Sequence, residues 1–412
     1  MKRKVGTILI ACLLLIASSA CGSPAPKPSP TATPPVDMGD ASFADGRGLQ
    51  VGFKLLYALE SLGGNSILGT STLSQALATV KYAAAGDTAE ALARELGMQD
   101  MQPRQVNEVA LRMRQTFDKL KQGRYTTAWC MIYGEKQYIR ESYYTDCRQM
   151  LQLKMLQYQP KDNENGLKFL GEWVDDNTGG RIKQVQFKLP EVPAPYIMDI
   201  LTADPDWALA LDTGKSRPLP FTYENGEKIA VPTMICKQKC GIFESELGSV
   251  AILPTAEDET RFVIMVPPAG MPLREFIPDA AAKHDEWLAA AEWGDQRVLL
   301  PRVKLDYSGS VMPVLDKAGL SKHLSSDADY STMGEGLYFS DILHMASLIL
   351  DESGVGDPDP KVTYRQGIKD NIRTLAVDRP FLVLLEKTEP DYGSGQVLMM
   401  GFVRDPLEVP TK

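Results

Sequence analysis

Histidine is the scarcest functional residue in this 412-residue chain: only His284, His323 and His344 occur. Three imidazoles over such a length argue against zinc-histidine chemistry and leave few general bases that titrate near neutrality. Basic charge is also short. There are 44 Lys and Arg against 53 Asp and Glu, a formal charge of −9 and a pI of about 5.1. Nothing in that balance would drive counterion release, which argues against nucleic acid as a partner. No Gly-x-Ser-x-Gly elbow accompanies the histidines, so a hydrolase lacks its nucleophile and the chain is expected not to be an enzyme. Cys236-x-x-x-Cys240 has neither a second Cys pair nor a His to complete a metal set. No metal and no cofactor are expected.

Long apolar runs are absent except at the start. Lys2, Arg3 and Lys4 precede a 12-residue apolar stretch, Val5 to Ile16, which is short for a membrane span. Ala17, Ser18, Ser19 and Ala20 then lead to Cys21. Residues 1–20 are predicted to be a signal peptide. A Cys at the cleavage point resembles a bacterial lipoprotein, although Ser18 stands where that family prefers Leu. A diacylated Cys21 would anchor the chain, since two acyl chains hold a membrane where one does not. The alternative is plain secretion, because Ser18 and Ala20 also suit a small-x-small cleavage site. Losing three cations and no anions would take the formal charge from −9 to −12. Residues 21–44 form a tether with Pro24, Pro26, Pro28, Pro30, Pro34 and Pro35. Its stretch from Gly22 to Asp37 could reach roughly 50 Å when extended. Export permits disulfides. Proximity in sequence suggests Cys130–Cys147 and Cys236–Cys240, three pairings are available, and four free buried thiols are the alternative.

Residues 45–407 contain no further linker, repeat or charge block. Leu49, Phe53, Leu56 and Leu59 recur at helical spacing. Thr72-x-x-Gln75 has the pattern of a capping box ahead of Leu73, Leu77 and Val80, and Asp87-Thr88-Ala89-Glu90 a second one. Val106, Ala110, Met113, Phe117 and Leu120 make the clearest amphipathic stripe. Strand-like runs come later, at Phe262 to Val266, Val298 to Leu305, Phe381 to Leu385 and Val397 to Val403. Asp391 and Gly393 between the last two signal a hairpin. Helices early and strands late give an α+β class.

Over Gly46 to Pro406 an ordered set of segments resembles the serpin family. Asn65-Ser66-Ile67-Leu68 with Leu73-Ser74-Gln75-Ala76-Leu77, and Gly86-Asp87-Thr88, are similar to its N-terminal part. Trp173-Val174 through Thr178-Gly179-Gly180-Arg181-Ile182, then Trp207, follow in order. Leu300-Pro301-Arg302-Val303, Ala318-Gly319-Leu320 and Ser340-Asp341-Ile342-Leu343-His344-Met345-Ala346 come next. Arg379-Pro380-Phe381 and Met400-Gly401-Phe402-Val403-Arg404-Asp405-Pro406 close the set. The resemblance implies one monomeric domain with three sheets, about nine helices and a long exposed loop. It further implies a bait for an extracellular serine or cysteine protease. After cleavage such a loop enters the central sheet as a new strand, which releases stored strain. The native state would then be held by kinetics.

The resemblance places the loop at about 352–379. Glu352 and Gly354 stand at its hinge, and 28 positions separate Glu352 from Pro380. The hinge is unusual. Where the family has a run of small residues, this chain has Val355-Gly356-Asp357-Pro358-Asp359-Pro360. Each proline would forfeit a ladder hydrogen bond in a central strand, and charges there would be buried. Counting from the two ends places the reactive bond at Lys369-Asp370 or at Ile368, with Arg365 and Arg373 as neighbouring alternatives. His344 matches a histidine beneath the central sheet, with Asp199 in the place of an Asn, and Thr72 and Gly69 in the places of two Ser. Trp207 falls at the top of the same sheet. Two functions follow: a protease inhibitor at the cell envelope, or a non-inhibitory binding or scaffold protein favoured by Pro358, Pro360, Asp357 and Asp359.

Overall fold

Apolar residues at helical spacing become buried helix faces wherever the sequence suggested them. The computed structural model describes residues 46–408 apart from 121–123, 159–161, 181, 183–184, 186–188, 191–193, 210, 212–214, 257–259, 353–370 and 389–394. Among these the helices are α1 (Leu49–Glu60), α2 (Thr70–Ala83), α3 (Gly86–Glu95), α4 (Pro103–Leu120), α5 (Glu141–Gln149), α6 (Asn163–Thr178), α7 (Leu273–Ala289) and α8 (Met312–Lys317). The stripe from Val106 to Leu120 is the buried face of α4. The two capping-box expectations are corrected. α2 begins two residues before Thr72, and neither α2 nor α3 has a side-chain cap. The Thr72 hydroxyl reaches into the sheet instead, where it meets a stronger acceptor.

Five strands form the central sheet, in the order β10 (Val303–Ser310), β11 (Asp341–Leu350), β4 (Tyr196–Ala203), β2 (Tyr125–Tyr133) and β3 (Lys154–Gln157). The larger sheet runs β1 (Ser66–Leu68), β14 (Gln396–Val403), β13 (Phe381–Lys387), β8 (Thr260–Val266), β7 (Gly248–Pro254), β6 (Lys228–Ser245), β9 (Glu292–Pro301) and β12 (Thr374–Ala376), with β5 (Arg217–Thr222) also on β6. Of the three sheets expected, two are therefore joined. The 18-residue β6 pairs with β5 at one end and β7 at the other, so one strand serves both. The run from Val298 to Leu305 is two strands, with the break at Arg302 between β9 and β10. The pairing of β13 with β14 bears out the hairpin reading.

Three apolar clusters hold these layers. Helices α1, α2, α4 and α7 pack with Met400, Phe402, Leu382 and Ile342 in the first. Leu201, Ala346 and Leu348 of the central sheet meet Val383, Leu385 and Leu398 of the large one in the second. α6 places Leu170 and Val174 on Cys130, Met198, Ile200 and Leu343 on the opposite face of the central sheet in the third.

All four described cysteines are free and buried, which corrects the proximity pairings. Cys236 and Cys240 lie on the same strand, and four residues of strand span about 13 Å, against a limit near 7 Å for a bridge. Cys130 points toward α6, whereas Cys147 belongs to the helical cluster on the other side. Burial pushes the Cys147 thiol up to about 12 and that of Cys240 to about 11, so neither is a nucleophile.

At the start of β11, Asp341 is buried and takes a 2.7 Å hydrogen bond from the Ser310 hydroxyl. Burial raises its pKa from 3.8 to about 6, outweighing the bonds from Ser310 and the Ile342 N–H. The folded state thus holds this proton where the unfolded state has lost it, and stability declines as pH rises from about 4 to about 6. The shift corresponds to about 3 kcal/mol. Asp341→Asn should remove most of that decline. Melting temperatures between pH 4.5 and pH 7.5 would check it: the variant's curve is expected to be flatter, and more stable than the parent at pH 7.5.

Candidate functional site

β4 and β11 are parallel neighbours inside the central sheet, paired from Tyr196–Asp341 to Ala203–Leu348. β11 runs straight into residue 352, where the loop begins. A strand that turned back from there between β4 and β11 would lie antiparallel to both. The seam between these two strands is therefore the place where the molecule's fastenings matter, and it has one at mid-height and one at its upper end.

The mid-height fastening is His344. Along β11, Leu343 and Met345 face α6, so His344 faces the core, directly opposite Asp199 in register. Its Nδ1 lies 2.9 Å from Asp199 Oδ2, and its Nε2 lies 3.0 Å from the Gly69 backbone nitrogen. A backbone N–H can only donate, so Nε2 must accept and the ring proton sits on Nδ1, donated to Asp199. His344 is therefore neutral in this arrangement. The Thr72 hydroxyl lies 2.7 Å from the same Asp199 oxygen and 3.0 Å from the Gly69 carbonyl. Both side chains are sealed from solvent, His344 at 0% and Asp199 at 1% exposure. The first turn of α2 is thus tied to both strands at once. Gly69 is needed for this approach: a Cβ there would stand 2.9 Å from Thr72 Oγ1 and 3.1 Å from His344 Cε1.

The upper fastening grips the loop's first residues. Trp207 Nε1 donates to the Asp351 carbonyl at 2.5 Å, and its ring leans on Phe262, 5.2 Å between centroids. One Glu352 oxygen receives Arg302 Nε at 2.9 Å and Nη2 at 2.5 Å, together with the Ser216 hydroxyl. The Glu352 side chain is only 3% exposed. A buried ion pair of this kind adds little net stability but is expensive to break from one side. At the far end of the loop, β12 pairs in parallel with Arg297–Leu299 of β9. Arg373 closes that end, bonding Glu292 at 2.6 Å and Glu244 at 3.3 Å, while its carbonyl accepts from the Arg297 N–H.

The structure brings together His344, Asp199, Thr72 and Gly69 as one cluster, and Trp207 with Glu352 as another. Gly354, Val355, Gly356, Asp357, Pro358, Asp359, Pro360, Ile368, Lys369 and Asp370 lie outside the described residues, as does Cys21 with the signal and tether. Arg373, an alternative for the reactive bond, is tied to the sheet edge by ion pairs with Glu292 and Glu244. Arg302 and Ser216 were not recognised as anchors: their partner, Glu352, is 50 and 136 positions away, and no local pattern announces it.

A family model described as Serpin (serine protease inhibitor) matches residues 48–406. The chain belongs to the serpin family. A horseshoe-crab protein (Tachypleus tridentatus) named Intracellular coagulation inhibitor 2 is 25% identical over 86% of this chain and 89% of its own. Iripin-8 of the tick Ixodes ricinus is 24% identical over 56% of this chain, and the match spans 60% of that protein. In fold the serpin is similar to native tengpin, a thermophilic serpin, with a TM-score of 0.74 at 20% identity, covering 88% of this chain and 94% of that one. Mouse protein-Z dependent protease inhibitor follows at 0.73 and 17%, covering 89% and 96%. The expected α+β serpin fold is thus found, with a helix count of eight among the described residues against the nine or so expected.

Three substitutions separate the roles of the fastenings. Asp199→Asn keeps an acceptor for His344 and Thr72 and should cost under about 1 kcal/mol, whereas Asp199→Ala strands two buried donors and should cost about 3 kcal/mol. Arg302→Ala leaves the Glu352 carboxylate buried and unpaired, with an expected loss of about 3–5 kcal/mol. Denaturant unfolding of each variant measures these differences; equal losses for Asp199→Asn and Asp199→Ala would contradict the hydrogen-bond assignment.

Proposed function

We propose that this serpin is an exported inhibitor of an extracellular serine or cysteine protease, held at the cell envelope through Cys21, with residues 352–379 as the bait. The observation that carries the reading is the closed β4–β11 seam at whose upper end Glu352 is fastened, with Arg373 fastened to the large sheet where the chain is next described. That arrangement leaves a strand position that the segment following Glu352 would fill. The related proteins named as inhibitors support the protease as partner class. Lys369-Asp370 would suit a trypsin-like enzyme. In this reading export puts the domain outside the cell, and residues 21–44 serve as its tether.

One observation favours the second reading, a binding or scaffold protein with a cleavable loop. Both faces of β4 are buried along its length, one by α6 and the other by the core. Asp357 and Asp359 would consequently enter an apolar environment whichever face they took, and Pro358 and Pro360 would remove two donors from the new ladder. Insertion is then slowed, and more loops are cleaved for each protease trapped.

Incubation with trypsin-like and subtilisin-like proteases decides between the readings. An inhibitor gives an SDS-stable covalent complex, here at a stoichiometry of several serpins per protease. Replacing Pro358 and Pro360 by Ala should bring that ratio toward one. Cleavage of the loop with no complex, and no rise in melting temperature afterwards, would overturn inhibition in favour of the second reading.

A further inference from the structure

α7 carries a second buried histidine whose surroundings are the reverse of those of His344. His284 is 0% exposed, and both of its ring nitrogens face carboxylates: Nδ1 lies 2.8 Å from Asp285 Oδ1 and Nε2 lies 2.6 Å from Glu386 Oε1. A neutral imidazole has a single N–H and would turn a lone pair on one of these acceptors. Two acceptors at hydrogen-bond distance require two donors, so this ring is an imidazolium.

The pattern continues on either side. Arg47 donates to Asp285 from Nη1 at 2.8 Å and Nη2 at 2.7 Å. Arg261 donates to Glu386 Oε2 from Nε at 3.0 Å and Nη2 at 2.9 Å. Five side chains therefore alternate in sign, Arg47, Asp285, His284, Glu386 and Arg261. They join the residue just ahead of α1 to α7, β13 and β8. The Arg47 carbonyl also accepts from the Val397 N–H of β14 at 2.8 Å. Other charges nearby are engaged elsewhere. On α1, Lys54 bonds Glu95, and Glu60 bonds Arg274 and Arg404; on α7, Lys283 bonds Glu286; on β6, Glu244 bonds Arg373. β7 has no charged side chain, and α1 presents Phe53 edge-on to the imidazole, 6.3 Å between centroids.

We propose that this chain of charges is a pH-operated clamp, in which protonated His284 fastens α7 to the sheet core, with Arg47 tied in through Asp285, and loss of its proton loosens that hold. Only the central member titrates near neutrality, and it is the one both carboxylates share. When it loses its proton, one of the two carboxylates faces a lone pair, and either the His284–Asp285 contact within α7 or the contact of α7 with Glu386 of β13 turns from attraction to repulsion. Burial opposes the charge on His284, but Glu386 and then Asp285 outweigh it and the pKa is raised. A raised folded-state value means that the stabilisation is complete below the unfolded value of about 6.5 and is lost as pH climbs through the folded value. On the acid side burial disfavours the Glu386 carboxylate, yet His284 and Arg261 hold its pKa below the ordinary value. His284, followed by Arg47, does the same for Asp285. The clamp is thus closed across the mildly acidic to neutral range and opens toward alkali.

The test uses the full-length protein with carbon-13 labelled histidine, and His284→Gln to assign the resonance by difference. His284 is expected to titrate above 6.5, and the melting temperature to fall over the same interval. Two substitutions at partly exposed positions then act in opposite directions. Asp285→Asn removes an anion and should move the midpoint down, whereas Arg47→Ala removes a cation and should move it up. A His284 midpoint at or below 6.5, or a midpoint unmoved by both substitutions, would overturn the clamp. So would a shift of the same sign in both, because a purely structural perturbation has no reason to follow charge.

Discussion

The parallel pairing of β4 with β11 is the constraint on which the rest of the structure depends. Its eight register pairs close the central sheet at the point where the chain leaves β11 for the loop. Each neighbouring feature acts on that seam. α2 pins it from the core side through Gly69 and Thr72, α6 covers it from the outer side, and Trp207 and Arg302 hold the chain at its upper end. Opening it would break the His344–Asp199 bond and expose the apolar rows on either side. In the proposed inhibition, those costs would oppose the gain from adding one more strand and form the barrier that a kinetically held native state requires.

His344 and His284 show how the same side chain can be assigned opposite states from its neighbours. Both are sealed from water. One meets a backbone donor and a carboxylate, the other two carboxylates. The partner atoms fix the number of ring protons, and the consequences diverge: a neutral ring acts as a directional link between elements, whereas a charged ring depends on pH for its hold. These two histidines are therefore used structurally, in keeping with a molecule whose proposed task needs no general base.

Much of the fold was legible because its signals are local. The α4 stripe and the hydrophobic runs of β8, β13 and β14 follow from side-chain periodicity alone. The ordered family segments then suggested His344, Asp199, Thr72 and Gly69 as neighbours, and the structure brings these four together, with Trp207 in a separate cluster at the upper end. What stayed hidden depends on contacts across long stretches of chain. The capping boxes at Thr72 and Asp87 look sound locally, yet Thr72 is drawn away by Asp199, 127 residues distant. Cys236 and Cys240 look like partners until the backbone between them proves to be a single extended strand. The fusion of two sheets has no local mark either, because a strand of 18 residues looks in sequence like two shorter ones.

That long strand has a consequence of its own. β6 carries β5 over Lys228–Thr233, β9 over Thr233–Ile242 and β7 over Gly241–Ser245, so each half of the large sheet has backbone partners on a common rod. Neither half can fray without pulling on hydrogen bonds that belong to the other. The large sheet thereby behaves as one cooperative unit, and local opening is left to the short edges, β1 and β12, of three residues each. β12 is the strand to which the loop returns. Softness is thus concentrated where the chain re-enters the sheet, and stiffness in the scaffold behind it.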